Sequence, residues 1–143
     1  MSVEQSPLAA LRKLNELAAF NLWCGIEVLN AEPGLAEISL RWKTELGQYS
    51  GFLHAGIVAT LIDTACGYAA ATLAGTGLLA SHFSVNCLRP AIGETFSARA
   101  RVVKPGKSQF FTACELFAES GGKSTLVATG ETLLLIVGGA TQA

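Results

Sequence analysis

Residues His54–Leu73 read HAGIVATLIDTACGYAAATL, a run without proline whose one acidic or strongly basic residue is Asp63. A helix over these roughly 20 residues spans about 30 Å at 1.5 Å per residue, enough to cross a small domain. Asp63 is the only aspartate in the 143-residue chain, within a stretch between Gly51 and Arg89 that is otherwise free of acidic and strongly basic residues. An ionised carboxylate on an apolar segment costs roughly 2 kcal/mol or more unless a partner, a hydrogen bond or water meets it. Asp63 is therefore the candidate chemical centre.

At 100° per residue, the positions within about 60° of Asp63 are Gly56, Ala59, Thr60, Cys66, Gly67, Ala70 and Ala74, all of them small. The opposite side carries Ile57, Val58, Leu61, Ala65, Tyr68 and Ala69, the face expected to pack on a sheet. A narrow stripe of small residues holding one carboxylate admits a close neighbour: a second helix, another subunit or a ligand. The plainer reading is a carboxylate that only makes a hydrogen bond at a helix contact. His54 lies nine residues away, about 13 Å along the axis and on the other side, so the two cannot share a site within one chain. If both serve a site, it is built across a dimer.

Outward from this helix, Pro7–Phe20 places Leu8, Leu11, Leu14, Leu17 and Ala18 at helical spacing, with Ser6 as N-cap and Pro7 in the first turn. Strands are expected at Ile26–Ala31 and Leu35–Trp42, joined through Glu32-Pro33-Gly34, with Ala36, Ile38, Leu40 and Trp42 on one face and Leu35, Glu37, Ser39 and Arg41 on the other. After Gly75-Thr76-Gly77 come four more, Leu79–Arg89, Thr95–Lys104, Gln109–Glu119 and Lys123–Val137, separated by turn residues. A short helix, two strands, one long helix and four strands predict an α+β fold, an antiparallel sheet wrapped around one central helix. The chain is expected to form a single domain over 1–143.

Half the residues are apolar and 15% are charged, with a net charge of −1 and scattered basic residues, which argues against a nucleic-acid partner. A membrane span is the rival reading of the long helix; Ala and Gly dominate it, and a central Asp costs about 2.5–3.5 kcal/mol on insertion, so none is expected. Cys24, Cys66, Cys87 and Cys114 stand far apart without a CxxC pair, which predicts buried small hydrophobes rather than a disulfide or a metal site. With no signal-peptide pattern at the start, a cytoplasmic location is expected.

Gln48–Ala71, QYSGFLHAGIVATLIDTACGYAAA, followed by Asn86-Cys87-Leu88-Arg89-Pro90-Ala91, resembles the PaaI-type hotdog-fold acyl-CoA thioesterases. The resemblance rests on the combination of an HGG-type turn, an apolar stretch with a central D-x-A and a later N-x-x-R-P-A, and covers about residues 20–137. It implies the hotdog fold, hydrolysis of an acyl-CoA to free acid and coenzyme A without a metal or further cofactor, and dimers, commonly paired into tetramers, with active sites at the subunit interface. By position Asp63 is the base or nucleophile. On the same resemblance the N–H of Ala55, with Gly56 beside it, would polarise the thioester carbonyl at the positive end of the helix.

The chain departs from the family pattern at three places. HAG stands for HGG; Gln48 stands where relatives often carry Asn to hold the nucleophile or water; Ala80 stands where they often carry Thr or Ser. His54 is expected to shape the turn by hydrogen bonding. His82 and Ser84, with Asn86, are expected on Ala80's strand face, where they could position water or touch the acyl group. Arg89, Lys104 and Lys107 are the candidates for holding coenzyme A phosphates, with Gly106 allowing close approach and Pro90 and Ser108 counted with them as substrate-binding. Two alternatives stay open: a hotdog protein that binds acyl-CoA without cleaving it, and an enoyl-CoA hydratase, whose paired Asp and His the Asp63/His54 spacing does not supply within one chain.

Overall fold

The computed structural model describes residues 5–137. Two short helices, α1 (Pro7–Glu16) and α2 (Ala19–Cys24), precede strands β1 (Glu27–Glu32) and β2 (Leu35–Arg41). The long helix α3 (Ala55–Ala74) follows, and then β3 (Leu78–Cys87), β4 (Thr95–Lys104), β5 (Gln109–Ser120) and β6 (Lys123–Ile136). The strands form one antiparallel sheet in the order β1-β2-β4-β5-β6-β3, and α3 touches all six. The expected α+β arrangement, a sheet around one helix, is the one observed.

The apolar face of α3 explains why the sheet curves around it. Val58, Leu61, Ile62, Ala65, Cys66, Tyr68, Ala69 and Ala70 are buried against strands, so the segment's length and apolarity serve a core helix. That face is broader than the spacing alone predicted. Cys66 and Ala70, placed on the small-residue stripe, are fully buried, whereas Ala59, Thr60, Asp63 and Gly67 are only half-buried. On β2 the alternation holds: Ala36, Ile38 and Leu40 face the core. Outside, Glu37 pairs with Arg99 of β4 at 2.7 Å.

The N-terminal helix is two helices rather than one. Leu17 closes α1, and Ala18 is extended at φ −96°, ψ 101° before α2 starts. No glycine or proline marks the break; tertiary contacts make it. Asn15 Nδ2 donates to the Ile26 carbonyl at 2.8 Å, and Asn15 Oδ1 accepts from Asn21 Nδ2 at 2.9 Å and from the Tyr68 hydroxyl at 2.7 Å. Turning the chain between Asn15 and Asn21 lets both amides satisfy one another inside the protein, where an unpaired polar group is costly. Of the four cysteines, Cys24, Cys66 and Cys114 are buried as expected, but Cys87 is exposed, because it ends β3 at the rim of the sheet.

Candidate active site

The start of α3 is built by its own sequence. His54 is the N-cap, with φ −59° and ψ 137°, and its Nδ1 accepts the N–H of Gly56 at 2.8 Å. The His54 carbonyl accepts from Ile57 at 2.8 Å and Val58 at 3.0 Å. Of the orphan donors that every helix presents at its N-terminus, the N–H of Ala55 finds no acceptor among the described residues. Gly56 is thus occupied by the cap, and His54 shapes the turn, as the sequence predicts. The turn is pinned by Leu53 N–H on the Ala91 carbonyl at 3.0 Å and His54 N–H on the Leu46 carbonyl at 2.9 Å.

Around this helix start lies a hollow of about 340 Å³ lined by Gln48, Ala55, Arg89 and Pro90 among others. Gln48 turns its amide oxygen onto the N–H of Ser50. Arg89 is anchored by donation to the Leu126 carbonyl at 2.6 Å. Four of the residues singled out from the sequence therefore meet at one place.

Asp63 is not among them. It lines a separate cleft of about 420 Å³, with Thr64, Gly67 and Ala71 of α3, Leu14, Leu17, Ala18 and Asn21 of the N-terminal segment, and Leu79 and Ala80 of β3. Burial pushes the Asp63 carboxyl above its usual range, and among the described residues no hydrogen bond or neighbouring cation pulls it back. Eight residues of helix, about 12 Å, separate it from Ala55.

β3 carries a correction. Ala80 pairs with Leu134 but His82 pairs with Leu133, so Ser81 is an extra residue that shifts the register, with its hydroxyl donating to the Leu133 carbonyl at 3.3 Å. Facing residues of paired strands share a side. Ala80 thus lies with buried Leu134 on the helix side, while His82, Ser84 and Asn86 lie with Leu133, Glu131 and Thr129 on the outer face; Asn86 Nδ2 reaches Thr129 Oγ1 at 3.3 Å. The alternation assumed from the sequence fails because a bulge inverts it. Within one chain these three side chains stay out of Asp63's cleft.

Lys104, Gly106, Lys107 and Ser108 form the exposed β4–β5 turn, which meets the end of β6 through Ile136 N–H on the Ser108 carbonyl at 2.9 Å. Arg89 meets β6 in its first half, where its N–H reaches the Val127 carbonyl at 3.2 Å. Val127 and Ile136 are nine residue steps apart along the strand, about 30 Å. One chain does not bring these cations together. Among the described residues no group of three or more His, Cys, Asp and Glu side chains is gathered for a metal.

The sequence reading missed the cleft's N-terminal wall. Its trace is two asparagines, Asn15 and Asn21, inside apolar helical patterns, which signal a buried polar network but not its partner Tyr68, which joins Asn21 Nδ2 at 3.0 Å.

Comparison with known proteins gives concordant results. The family model described as the thioesterase superfamily matches residues 50–125. A thioesterase family protein from Silicibacter pomeroyi is 35% identical, with a TM-score of 0.86 over 91% of this chain and 97% of that one. Human acyl-coenzyme A thioesterase 13 is 29% identical over 132 residues, 90% of this chain and 93% of that protein. The Escherichia coli PaaI protein, from the phenylacetic acid degradation operon, shares the fold with a TM-score of 0.81 over 95% of this chain and 96% of that one, at 23% identity.

Proposed function

The chain belongs to the thioesterase superfamily, and from that premise we propose that it hydrolyses acyl-CoA thioesters in sites shared between two subunits. One observation carries this reading: the unpartnered carboxylate and the unspent helix N–H lie in different hollows of the same chain. A two-fold dimer supplies both halves to one thioester. β3 favours such a dimer, since it is a ten-residue edge strand hydrogen-bonded on one side only and exposed along most of its length. A long open edge invites pairing with another strand, and a continuous sheet of two copies would close it. The tetramer that the resemblance implies would pair two such dimers.

In the proposed reaction the acyl carbonyl rests on the Ala55 N–H of one subunit, where the helix dipole favours the developing oxyanion. Asp63 of the other takes a proton from water as the water oxygen bonds to the carbonyl carbon, or attacks that carbon itself. Collapse expels the coenzyme A thiolate, which takes up a proton; free acid leaves directly on the water route, and on the other route after water hydrolyses the acyl–Asp63 anhydride and restores the carboxylate. The carboxylate and the N–H suffice for these steps, so the reading calls for no cofactor. Arg89 of one subunit and the Lys104–Ser108 turn of the other are assigned to the phosphates of coenzyme A, and a cytoplasmic location fits such a substrate.

The deciding assay mixes the purified protein with a panel of acyl-CoAs and a thiol reagent. Release of free thiol is expected, and its loss by orders of magnitude in Asp63→Asn with the dimer intact. Binding without thiol release would make the protein an acyl-CoA carrier, and loss of enoyl absorbance would make it a hydratase.

A further inference from the structure

Carboxylate and N–H account for breaking the thioester, but not for where the acyl group goes. The cleft that contains Asp63 continues from it along the C-terminal half of α3 to Gly75, twelve residues or about 18 Å. Its volume of about 420 Å³ falls in the range of small-molecule sites, roughly 300–1,000 Å³. Apart from the Asp63 end the lining is mostly aliphatic, with Leu14 and Leu17 on one side and Leu79 and Ala80 on the other.

Two independent features keep this space open. Gly67 sits one turn beyond Asp63, in the interior of a helix, where glycine costs about 1 kcal/mol relative to alanine. A Cβ built there meets nothing within 4 Å, so no packing inside the chain requires the glycine. Gly130 is the contrast: its Cβ would strike Ile62 Cγ2 and the Ser84 carbonyl at 2.6 Å. The second feature is the wall. The network of Asn15, Asn21 and Tyr68 ties α1 and α2 to α3 through buried hydrogen bonds of 2.7–3.0 Å. The helices are thereby held at a set distance and do not collapse into the groove.

We propose that this groove holds the acyl group, that the two N-terminal helices are its outer wall, and that the substrates are thioesters of extended aliphatic acids of medium chain length. The proposal rests on the thioesterase reading. It deepens that reading by assigning acyl selectivity to Gly67 and to a helical segment outside residues 50–125, the part that matches the family model. The chain would leave the reacting carbonyl at Asp63 and run past Gly67 and Ala71 toward Gly75, in the subunit that supplies the carboxylate.

The test is a series at Gly67, measured as kcat/KM on saturated acyl-CoAs from four to sixteen carbons, with Tm recorded for each variant. Gly67→Ala should fold at least as stably as the parent, and Gly67→Leu should lower the ratio of long-chain to short-chain kcat/KM at least tenfold. A loss that is the same at every chain length, or no loss, overturns the acyl placement. If the parent hydrolyses nothing in the panel, the thioesterase reading fails. The groove is then judged by calorimetry in the Asp63→Asn background, where Gly67→Leu should weaken dodecanoyl-CoA at least tenfold more than free coenzyme A. Equal weakening of both ligands, or of neither, overturns it there too.

Discussion

Asp63 combines a chemical opportunity with a structural cost. Its carboxyl is held above the ordinary value of about 3.9 by burial alone. For an acid raised on folding, the unfolded chain gives up its proton first, so stability is greatest below the unfolded pKa and falls as pH rises through the folded one. Asp63→Asn removes that cost, and its Tm advantage over the parent should grow from acid to neutral pH while turnover collapses. A difference in Tm that stays flat across that window would contradict the assignment of burial as the cause. A base of this kind also sets the acid limb of kcat/KM, which should lie above the ordinary carboxylate range. His54 acts through geometry instead. Replacing it by Ala removes the cap on Gly56 and should cost about 1 kcal/mol of stability in denaturant titrations.

At the scale of elements, α3 and β3 place what their side chains use. β6 passes so close to α3 and β3 at Gly130 that a methyl group would meet Ile62 Cγ2 and the Ser84 carbonyl at 2.6 Å. Gly130→Ala should therefore destabilise by about 1–3 kcal/mol, the usual cost of overpacking, because a backbone carbonyl cannot turn aside as a side chain can. Unchanged stability would mean that β3 moves freely against β6. The bulge at Ser81 decides which face His82, Ser84 and Asn86 occupy. It was illegible in the sequence because one extra residue in a strand leaves the hydrophobic alternation looking continuous on either side of it. The break between α1 and α2 was hidden for a similar reason, since the partners that cause it, Ile26 and Tyr68, lie on other elements.

For the whole molecule the consequence is a site divided between copies. Ala55→Pro offers a clean way to remove the proposed oxyanion donor, because proline is tolerated at the first helical position and His54 already has the extended backbone that a following proline requires. Ala55→Pro and Asp63→Asn should each be inactive alone. Equal mixtures refolded together should regain about a quarter of the parent's activity, since half the dimers would be mixed and each of these would hold one intact site. No recovery, with mixed dimers demonstrated by mass, would place both groups in a site within one chain. A charge on the exposed edge, Phe83→Lys, should shift the dimer toward monomer in sedimentation and lower activity in parallel.

The sequence by itself determined the order of the six strands and the long helix among them, the lone carboxylate on that helix and the hydrogen-bonded turn shaped by His54. These depend on local spacing, on backbone restrictions and on the cost of charge in apolar surroundings, all of which act between residues near one another in the chain. It also showed, through helical geometry, that His54 and Asp63 cannot meet in one copy. Only the tertiary structure decided that Cys66 and Ala70 belong to the core, that β3 turns His82, Ser84 and Asn86 outward, and that α1 and α2 wall a cleft opening on Asp63. Each of these depends on register and packing between segments distant in sequence, where one residue of slip or one buried hydrogen bond changes the side on which a side chain lies.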